Sequence, residues 1–392
     1  AQEANPTRLG MRMDAPDRIW AAAERLYRTG LYPALSLCIR RKGEVVLDRS
    51  VGHKSGFGLD GDGPPVVCEP TTPMCIFSAS KAVTAMLVHL LDDRGVLHVD
   101  DRVADYIPEF EAHGKKWITI RHVLTHRAGL PNLAGNTNLD LLSNPAEVLE
   151  RLCGTRPVSA PGRRLAYHAL TGGFILAEVI RRACGKPIRE VLDEQILAPL
   201  GFDQMNYGTT ADRMGDVCHN AFTGREPPFP MKQIAKRALG VPFAEAATIS
   251  NDPRWLLGVV PSGNIMATAN ELSRFYQMLL NGGELDGVRI MDERTVRRAR
   301  QETSYLEMDL TLMLPVRYGS GLMLGSQVFS PFGPGTPRAF GHLGFINILS
   351  WADPDRELAV ALLTSGKPAV ANHFVPLIRL LRRISTDCPK VS

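Results

Sequence analysis

The chain has 392 residues, of which 44% are hydrophobic and 22% are charged, the ordinary balance of a globular protein. Its formal net charge is only +4, and basic residues are scattered among acidic ones, so the sequence gives no sign of a nucleic-acid-binding surface. The densest basic group, Arg297, Arg298 and Arg300, follows Asp292 and Glu293 and is interpreted as a solvated helix face.

Seven cysteines stand at irregular spacings. This pattern fits neither a disulfide framework nor a zinc site, so we expect free thiols in a reducing compartment. No stretch approaches the roughly 18 apolar residues of a membrane-spanning helix, and we expect no membrane partner. No signal peptide is visible at the start, which favours a cytoplasmic location, although a processed exported precursor would look the same. The oligomeric state is not indicated.

The first quarter of the chain predicts a helix, a hairpin and a second helix. Apolar residues at helical spacing predict the first helix over 15–29. Two β-rich runs around Lys42-Gly43 predict an antiparallel hairpin. The strongest helical pattern of the chain covers 78–93, and Gly95 closes it.

The middle third is mostly helical in pattern, and its segments each end at or near a glycine. After residue 255 the character changes, because strand-like runs appear between two helices. These helices are predicted at 269–280 and 369–384, and the strand-like runs at 318–324, 345–352 and 357–363.

Strands therefore stand near both ends of the chain, with helices inserted between them. We predict an α/β (α+β) fold in which an antiparallel β-sheet is flanked by helices and joined to an inserted, mostly helical region. The sheet domain is assigned to residues 1–77 and 256–392, and the helical domain to 78–255. A cleft between two such parts is a natural ligand site.

The segment Ser78-Ala79-Ser80-Lys81 opens the strongest helix. Residues i and i+3 of a helix share a face, with Cβ atoms about 5–6 Å apart, so the Lys81 amine can reach the Ser78 hydroxyl. A serine needs such a base to become a nucleophile, and a lysine serves as one when burial lowers its pKa from about 10.4. The alternative is a helix-capping serine beside a surface lysine. Ser80 competes as nucleophile but points to a different face.

Further segments follow in a recognisable order: 118–130 (ITIRHVLTHRAGL), Tyr167 after Pro161-Gly162, and His342-Leu343-Gly344. With Ser78-x-x-Lys81, they make the chain resemble the β-lactamase and penicillin-binding-protein superfamily of S-x-x-K serine hydrolases. The resemblance is closest to family VIII carboxylesterases, which are relatives of class C β-lactamases. It implies a serine carboxylesterase that forms an acyl-enzyme on Ser78 and requires no metal or cofactor.

The resemblance also implies roles for residues beyond Ser78 and Lys81. Tyr167 would be the third catalytic group, sharing the proton transfers as a phenolate or through a hydrogen bond to Lys81. The backbone N–H groups of Ser78 and Phe345, the residue after Gly344, would form the oxyanion hole. His342 would contribute to substrate binding.

Two departures from the family pattern bear on the substrate. The Y-x-N form reads Tyr167-His168-Ala169, so the asparagine of lactam-processing relatives is absent. Position 342 is histidine rather than lysine, which weakens an anchor for a substrate carboxylate, although histidine titrates near neutral pH and would help part of the time. Both changes favour a small-molecule ester as substrate.

Rival functions stay open at this point. A β-lactamase, a D-amino-acid amidase or an acyltransferase would use the same nucleophile. A penicillin-sensing protein or a scaffold would keep the fold without turnover. The 220–255 region, with Phe222, Phe229 and Phe243, is expected to line the cleft and select the substrate.

Other motifs point to structural roles. His122 and His126 have the spacing of a helical zinc site but lack a third ligand, so no metal is expected and His126 is interpreted as structural. The chain has no G-x-S-x-G elbow, which argues against an α/β-hydrolase fold. Ser262-Gly263-Asn264 is interpreted as a structural turn.

Overall fold

A computed structural model describes residues 2–56, 63–133, 135, 137–239 and 241–391. The α-helices of this part, in chain order, are α1 (Ala15–Tyr27), α2 (Ser80–Asp93), α3 (Val103–Tyr106), α4 (Ile120–Leu124), α5 (Leu139–Leu142), α6 (Pro145–Gly154), α7 (Thr171–Cys184), α8 (Ile188–Leu192), α9 (Met231–Leu239), α10 (Phe243–Ile249), α11 (Pro253–Leu257), α12 (Ala269–Leu280), α13 (Glu293–Ala299) and α14 (Phe374–Asp387).

The strands are β1 (Ala34–Arg41), β2 (Glu44–Ser55), β3 (Val66–Val67), β4 (Met74–Cys75), β5 (Asn206–Tyr207), β6 (Ala221–Thr223), β7 (Ile265–Ala267), β8 (Glu284–Leu285), β9 (Val288–Arg289), β10 (Ser304–Asp309), β11 (Leu314–Tyr318), β12 (Met323–Leu324), β13 (Phe340–Gly344), β14 (Ile348–Asp353), β15 (Leu358–Thr364) and β16 (Gly366–Pro368).

A large antiparallel sheet is assembled from both ends of the chain. Its strand order is β10-β11-β12-β13-β14-β15-β1-β2-β3, so β1 from the first forty residues pairs with β15 near the C-terminus. Helices flank this sheet, and most of the remaining helices come from the middle of the chain. The predicted fold class is confirmed, while the division into two domains at residues 77 and 255 stays a prediction.

The hairpin predicted at Lys42-Gly43 forms as expected. The β1–β2 turn contains Lys42 and Gly43 with φ of 52° and 86°. A two-residue hairpin turn whose twist matches the right-handed twist of its strands has positive φ at both residues. β14 and β15 pair around the turn that begins at Asp353. The predicted strand at 345–352 starts later than expected, at Ile348, because Asn347 adopts a positive φ of 67°.

The sheet separates two hydrophobic cores, and the alternation of side chains along β1 shows why. Leu35, Leu37 and Ile39 face the core that is covered by α1 and α14, whereas Ala34 and Cys38 face the core that contains α2 and α12. The terminal helices therefore cover one face of the sheet.

Helix α2 lies in the core that also contains α12, and it forms the base of the cleft. Its residues from Ser80 to Leu91 are all buried, and β13 and α7 pack against it. Strands β4, β7 and β5 form a small sheet beside its start, and the backbone N–H of Ile76 donates to the Ile265 carbonyl at 2.9 Å. These contacts fix the chain immediately before Ser78.

Helices in the described ranges are all too short or too polar to span a lipid bilayer. All seven cysteines are free thiols, and five of them are buried.

Candidate active site

Ser78 lies on a short 3-10 turn, Phe77–Ala79, that leads into α2. The sequence places the start of the helix at Ser78, but α2 itself begins two residues later. Phe77 has a positive φ of 46°, which is uncommon for a residue with a side chain and is found most often at functional sites. Ser78 is partly exposed although its neighbours on both sides are buried, so the turn presents this one hydroxyl to the cleft.

The Lys81 ammonium group is held between Ser78 and the turn at residue 262. Nζ lies 3.1 Å from Ser78 Oγ and donates to the Ser262 carbonyl oxygen at 3.0 Å. Ser262 Oγ in turn accepts from the N–H of Gly173 at 3.0 Å. The 262–264 turn, interpreted from the sequence as structural, therefore has a second role, because the Ser262 carbonyl oxygen also orients the Lys81 side chain.

Burial changes the acid–base behaviour of Lys81. Its side chain is only 8% exposed, and desolvation lowers its pKa to about 7. Among the described residues no carboxylate pairs with it, so nothing restores the charged form. A substantial fraction of Lys81 is therefore a neutral amine near neutral pH, which is the state that can accept a proton.

Ser80 does not share this environment. Its side chain is fully buried, and its Oγ accepts a hydrogen bond from the N–H of Ile265 at 3.1 Å. The hydroxyl holds the small sheet against α2 and faces away from Lys81 and the cleft, which agrees with the orientation predicted from the helix geometry.

Tyr167 completes the group around Ser78. Lys81 Nζ lies 4.8 Å from the centre of the Tyr167 ring. Burial is the main cause that raises the pKa of Tyr167, and a side-chain hydrogen bond with Ser78 opposes it. Tyr167 is thus a neutral phenol that interacts with Ser78. The sequence left open a phenolate or a hydrogen bond to Lys81, and the raised pKa argues against the phenolate.

Asp309 holds the backbone of Tyr167 and was missed by the sequence analysis. Its Oδ1 accepts from the N–H of Tyr167 at 3.1 Å, and also from those of Thr311 and Leu312 at 2.8 and 2.9 Å. The hydrogen bonds from Thr311 and Leu312, two and three residues after Asp309, form an Asx-type turn. A turn of this kind can be predicted from the sequence. The bond to Tyr167 depends on the fold and leaves no local signal.

The end of β13 closes the other side of the cleft. A Cβ atom on Gly344 would lie 2.4 Å from the Ile76 carbonyl oxygen, so only glycine lets this strand approach the turn that carries Ser78. The ring of Phe345 packs against that of Phe77 at 5.3 Å. Ser78, Lys81, Tyr167, Gly344 and Phe345 are therefore brought together around one cleft.

Comparison with known proteins matches this architecture to a family. The beta-lactamase family model covers residues 21–380. The chain belongs to the beta-lactamase family. It is 33% identical to "Esterase/beta-lactamase LipL" of Mycobacterium tuberculosis over 344 residues, which is 82% of this chain and 76% of that protein.

Solved structures agree with the family assignment. A family VIII carboxylesterase superposes with a TM-score of 0.81 at 25% identity, covering 94% of this chain and 96% of that one. A penicillin-binding protein homologue from Caulobacter crescentus gives a TM-score of 0.79 at 26% identity, covering 95% and 98%. This beta-lactamase-family protein is accordingly a serine hydrolase.

In this beta-lactamase-family protein His342 is not a cationic anchor. The imidazole is 2% exposed, and its Nδ1 bonds to the Leu343 carbonyl oxygen at 2.7 Å. Burial first, and then the charge of Lys81, lowers its pKa to about 3. The expectation that His342 is charged part of the time near neutral pH is therefore wrong, because the buried position keeps the ring neutral.

Two more buried histidines surround Tyr167. His126 Nδ1 accepts from the N–H of His168 at 3.2 Å, and its ring lies 4.7 Å from the Tyr167 ring. Burial lowers the pKa of His126 well below its usual range and that of His168 to about 3. The structural interpretation of His126 is consistent with these contacts. Among the described residues no group of three or more metal-ligating side chains is assembled.

An apolar cavity of about 70 Å³ adjoins Ser78. Its walls include Ala169, Leu170, Ile249 and Trp255. The expectation that the 220–255 region lines the cleft holds for Ile249 and Trp255.

The three phenylalanines of that region differ in position. Phe243 packs on Phe345 with 4.6 Å between ring centres, and Phe222 packs behind Phe243 at 5.8 Å. Phe229 is 81% exposed and lies outside the cavity wall, so the expectation for that residue is wrong.

Proposed function

We propose that the protein is a serine carboxylesterase that hydrolyses small esters through an acyl-enzyme on Ser78. The observation that carries the proposal is a contact between Lys81 and Ser78. Lys81 is buried and its pKa is lowered to about 7, and its Nζ lies 3.1 Å from the cleft-facing hydroxyl of Ser78. A serine nucleophile needs a base within hydrogen-bond reach and in the neutral state, and Lys81 meets both conditions.

In the first step, neutral Lys81 takes the proton of Ser78 while Ser78 Oγ attacks the ester carbonyl carbon. The carbonyl π-bond pair moves to oxygen, and the resulting oxyanion is stabilised by the backbone N–H groups of Ser78 and Phe345. This assignment is supported by the close approach of Gly344 to the Ser78 turn. Donors fixed in place before the reaction are usually a large catalytic contribution.

In the second step, the tetrahedral intermediate collapses and the C–O bond to the alcohol breaks. Tyr167, a neutral phenol that interacts with Ser78, donates its proton to the leaving alkoxide and is reprotonated by the Lys81 ammonium. Water then attacks the acyl-enzyme by the same route in reverse, which releases the acid and restores Ser78.

The lining of the cleft favours an ester over a β-lactam. Position 169 is alanine, so no side-chain amide is available there to hold a substrate amide group. His342 is neutral, and no lysine or arginine is among the described residues that line the cavity. A β-lactam carboxylate would therefore lack a cationic partner inside the cavity. The carboxylesterase and esterase names of two similar proteins support the same choice.

The apolar cavity suggests the size of the acyl group. It measures about 70 Å³, which is about half the volume of an apolar cavity of about 150 Å³ that binds benzene. We therefore infer a short, unbranched acyl chain, from acetyl to butanoyl, directed toward Leu170 and Trp255.

A covalent label tests the nucleophile. The Ser78→Ala variant should lose turnover of a nitrophenyl ester by at least about 10⁴-fold and should no longer be labelled by an alkyl phosphonate, with the adduct read by mass spectrometry. Ser80→Ala is the matched control and should still be labelled on Ser78. An adduct on Ser80 of the wild type, or labelling of Ser78→Ala, would refute the assignment.

A substrate panel tests the reaction class. Nitrophenyl acetate, butanoate and octanoate, a chromogenic cephalosporin and a D-alanine amide should be compared on the same preparation. We expect the two short esters to have the highest kcat/KM. Faster cephalosporin turnover would replace the proposal with a β-lactamase, and stoichiometric acylation that stops would indicate a penicillin sensor. Unlabelled wild-type protein would indicate a scaffold.

A further inference from the structure

A second, larger cavity of about 940 Å³ lies away from Ser78 and shares none of the lining residues of the acyl cavity. It is bounded by the end of α12, by α13 and the residues after it, and by the chain before β13. Its volume falls in the upper part of the usual range for small-molecule sites, roughly 300–1,000 Å³. Its position therefore makes it a separate site rather than an extension of the cleft.

Arginine dominates the charged residues of this cavity. The set consists of five arginines and two glutamates: Arg297, Arg298, Arg300, Arg317, Arg338, Glu293 and Glu302. Glu302 is already occupied by a two-point contact with Arg317, at 2.6 and 3.1 Å. Positive charge is therefore in excess where the sequence predicts only a solvated helix face.

Three of these arginines lack a carboxylate partner among the described residues. Arg298 donates only to the Thr295 hydroxyl at 3.2 Å. No side-chain hydrogen bond or ion pair is present for Arg297 or Arg300 within the described ranges. All three line the cavity and stand within four successive residues at the end of α13.

Arg300 is the distinctive member, because it is only partly exposed. Its guanidinium carbon lies 4.2 Å from the centre of the Phe340 ring. Burial, and after it the nearby charge of Arg338, lowers the pKa of Arg300. A cation that loses hydration without gaining an acceptor is costly, and an anion in the cavity would provide that acceptor.

We propose that this cavity, bounded by Arg297, Arg298 and Arg300, is a binding site for a small molecule that carries a diphosphate group. Guanidinium groups bind phosphate oxygens through paired N–H donors. Three unpaired arginines on one helix turn match a ligand that concentrates several negative charges in few atoms, which a diphosphate does more than a dicarboxylate. The partly exposed apolar residues of the wall, Leu280 and Pro337, would contact the uncharged part of the ligand.

Calorimetric titration with inorganic pyrophosphate tests the site on the whole chain. We expect saturable binding to the wild type, at least tenfold weaker binding to Arg300→Gln, and several-fold weaker binding to Arg297→Gln. The matched control is Arg8→Gln, which removes an exposed arginine outside the cavity with the same change in charge and should bind within twofold of the wild type.

The outcomes separate the proposal from its rivals. Weakening of equal size in Arg8→Gln would mean that only net charge matters, and it would overturn the site. Absence of binding to the wild type at millimolar pyrophosphate would also overturn it. Succinate that binds as tightly as pyrophosphate would overturn the diphosphate assignment. Arg297 is exposed, so its variant keeps the test valid if Arg300→Gln fails to fold.

Discussion

Two buried lysines lie close to the turn that carries Ser78, and they differ in what they touch. Lys81 is buried beneath the cleft, and Lys367 is fully buried on β16. Burial lowers the pKa of each to about 7. A lowered lysine pKa alone would therefore not distinguish the two as candidate catalytic bases.

The contacts of the two ammonium groups separate them. Lys81 Nζ is 3.1 Å from the Ser78 hydroxyl. Lys367 Nζ donates to the Thr364 carbonyl oxygen at 2.6 Å and lies 4.8 Å from the centre of the Phe77 ring. A carbonyl oxygen and an aromatic face have no proton to give, so of these contacts only that of Lys81 is with a group that can become a nucleophile. Burial prepares a lysine to be a base, and its neighbour decides whether it acts as one.

Replacing each lysine with methionine is the strongest test of this difference. Methionine keeps a similar volume and removes the amine. Lys81→Met should lower kcat for a nitrophenyl ester by at least about 10⁴-fold, since the serine loses its base. Lys367→Met should keep kcat/KM within about threefold of the wild type. A folded Lys367→Met variant with activity as low as that of Lys81→Met would show that the comparison is mistaken.

The sequence predicts the parts of this site that follow local rules. The i, i+3 spacing of Ser78 and Lys81 places their side chains together on any helical turn. The hairpin at Lys42-Gly43 is equally local, because turn geometry selects its residues. These features needed no knowledge of the rest of the fold.

Features that depend on distant segments could not be predicted in this way. The Ser262 carbonyl reaches Lys81 across 181 residues, and Asp309 reaches Tyr167 across 142. The neutral state of His342 has the same origin, since it follows from how completely the fold buries that side chain. An ordinary histidine pKa was the natural expectation without that information.

Two glycine-to-alanine variants test whether the contact between Lys81 and the Ser262 carbonyl oxygen contributes to catalysis. A Cβ on Gly173 would lie 2.3 Å from Ser262 Oγ and 2.6 Å from Ser262 N, so Gly173→Ala must displace the turn whose carbonyl orients Lys81. We expect kcat to fall by about 10- to 100-fold, because small misplacements of catalytic groups have effects of this size. The control is Gly154→Ala, whose Cβ would meet nothing within 4 Å and which should leave kcat unchanged. Equal kcat in both variants would remove the turn from the mechanism.

The pH profile connects Lys81 to the rate. The base must be neutral, so kcat/KM should fall about tenfold per unit as the pH drops below about 7, the pKa to which burial lowers Lys81. Lys367→Met should show the same midpoint. A midpoint that moves in that variant would place Lys367 in the titration and weaken the distinction between the two lysines.

Protein stability should show the opposite pattern, in which the two lysines are alike. Each has a folded pKa of about 7 against about 10.4 when unfolded, so between these values the unfolded chain binds the extra proton and the free energy of unfolding rises with pH. Removing either lysine should reduce that rise by about 1.4 kcal/mol per pH unit, measured by urea unfolding at pH 8 and pH 9. The cysteines titrate in every variant, so their contribution largely cancels. An unchanged slope in Lys367→Met would mean that the folded protein keeps Lys367 charged, and the two lysines would then differ in protonation as well as in contacts.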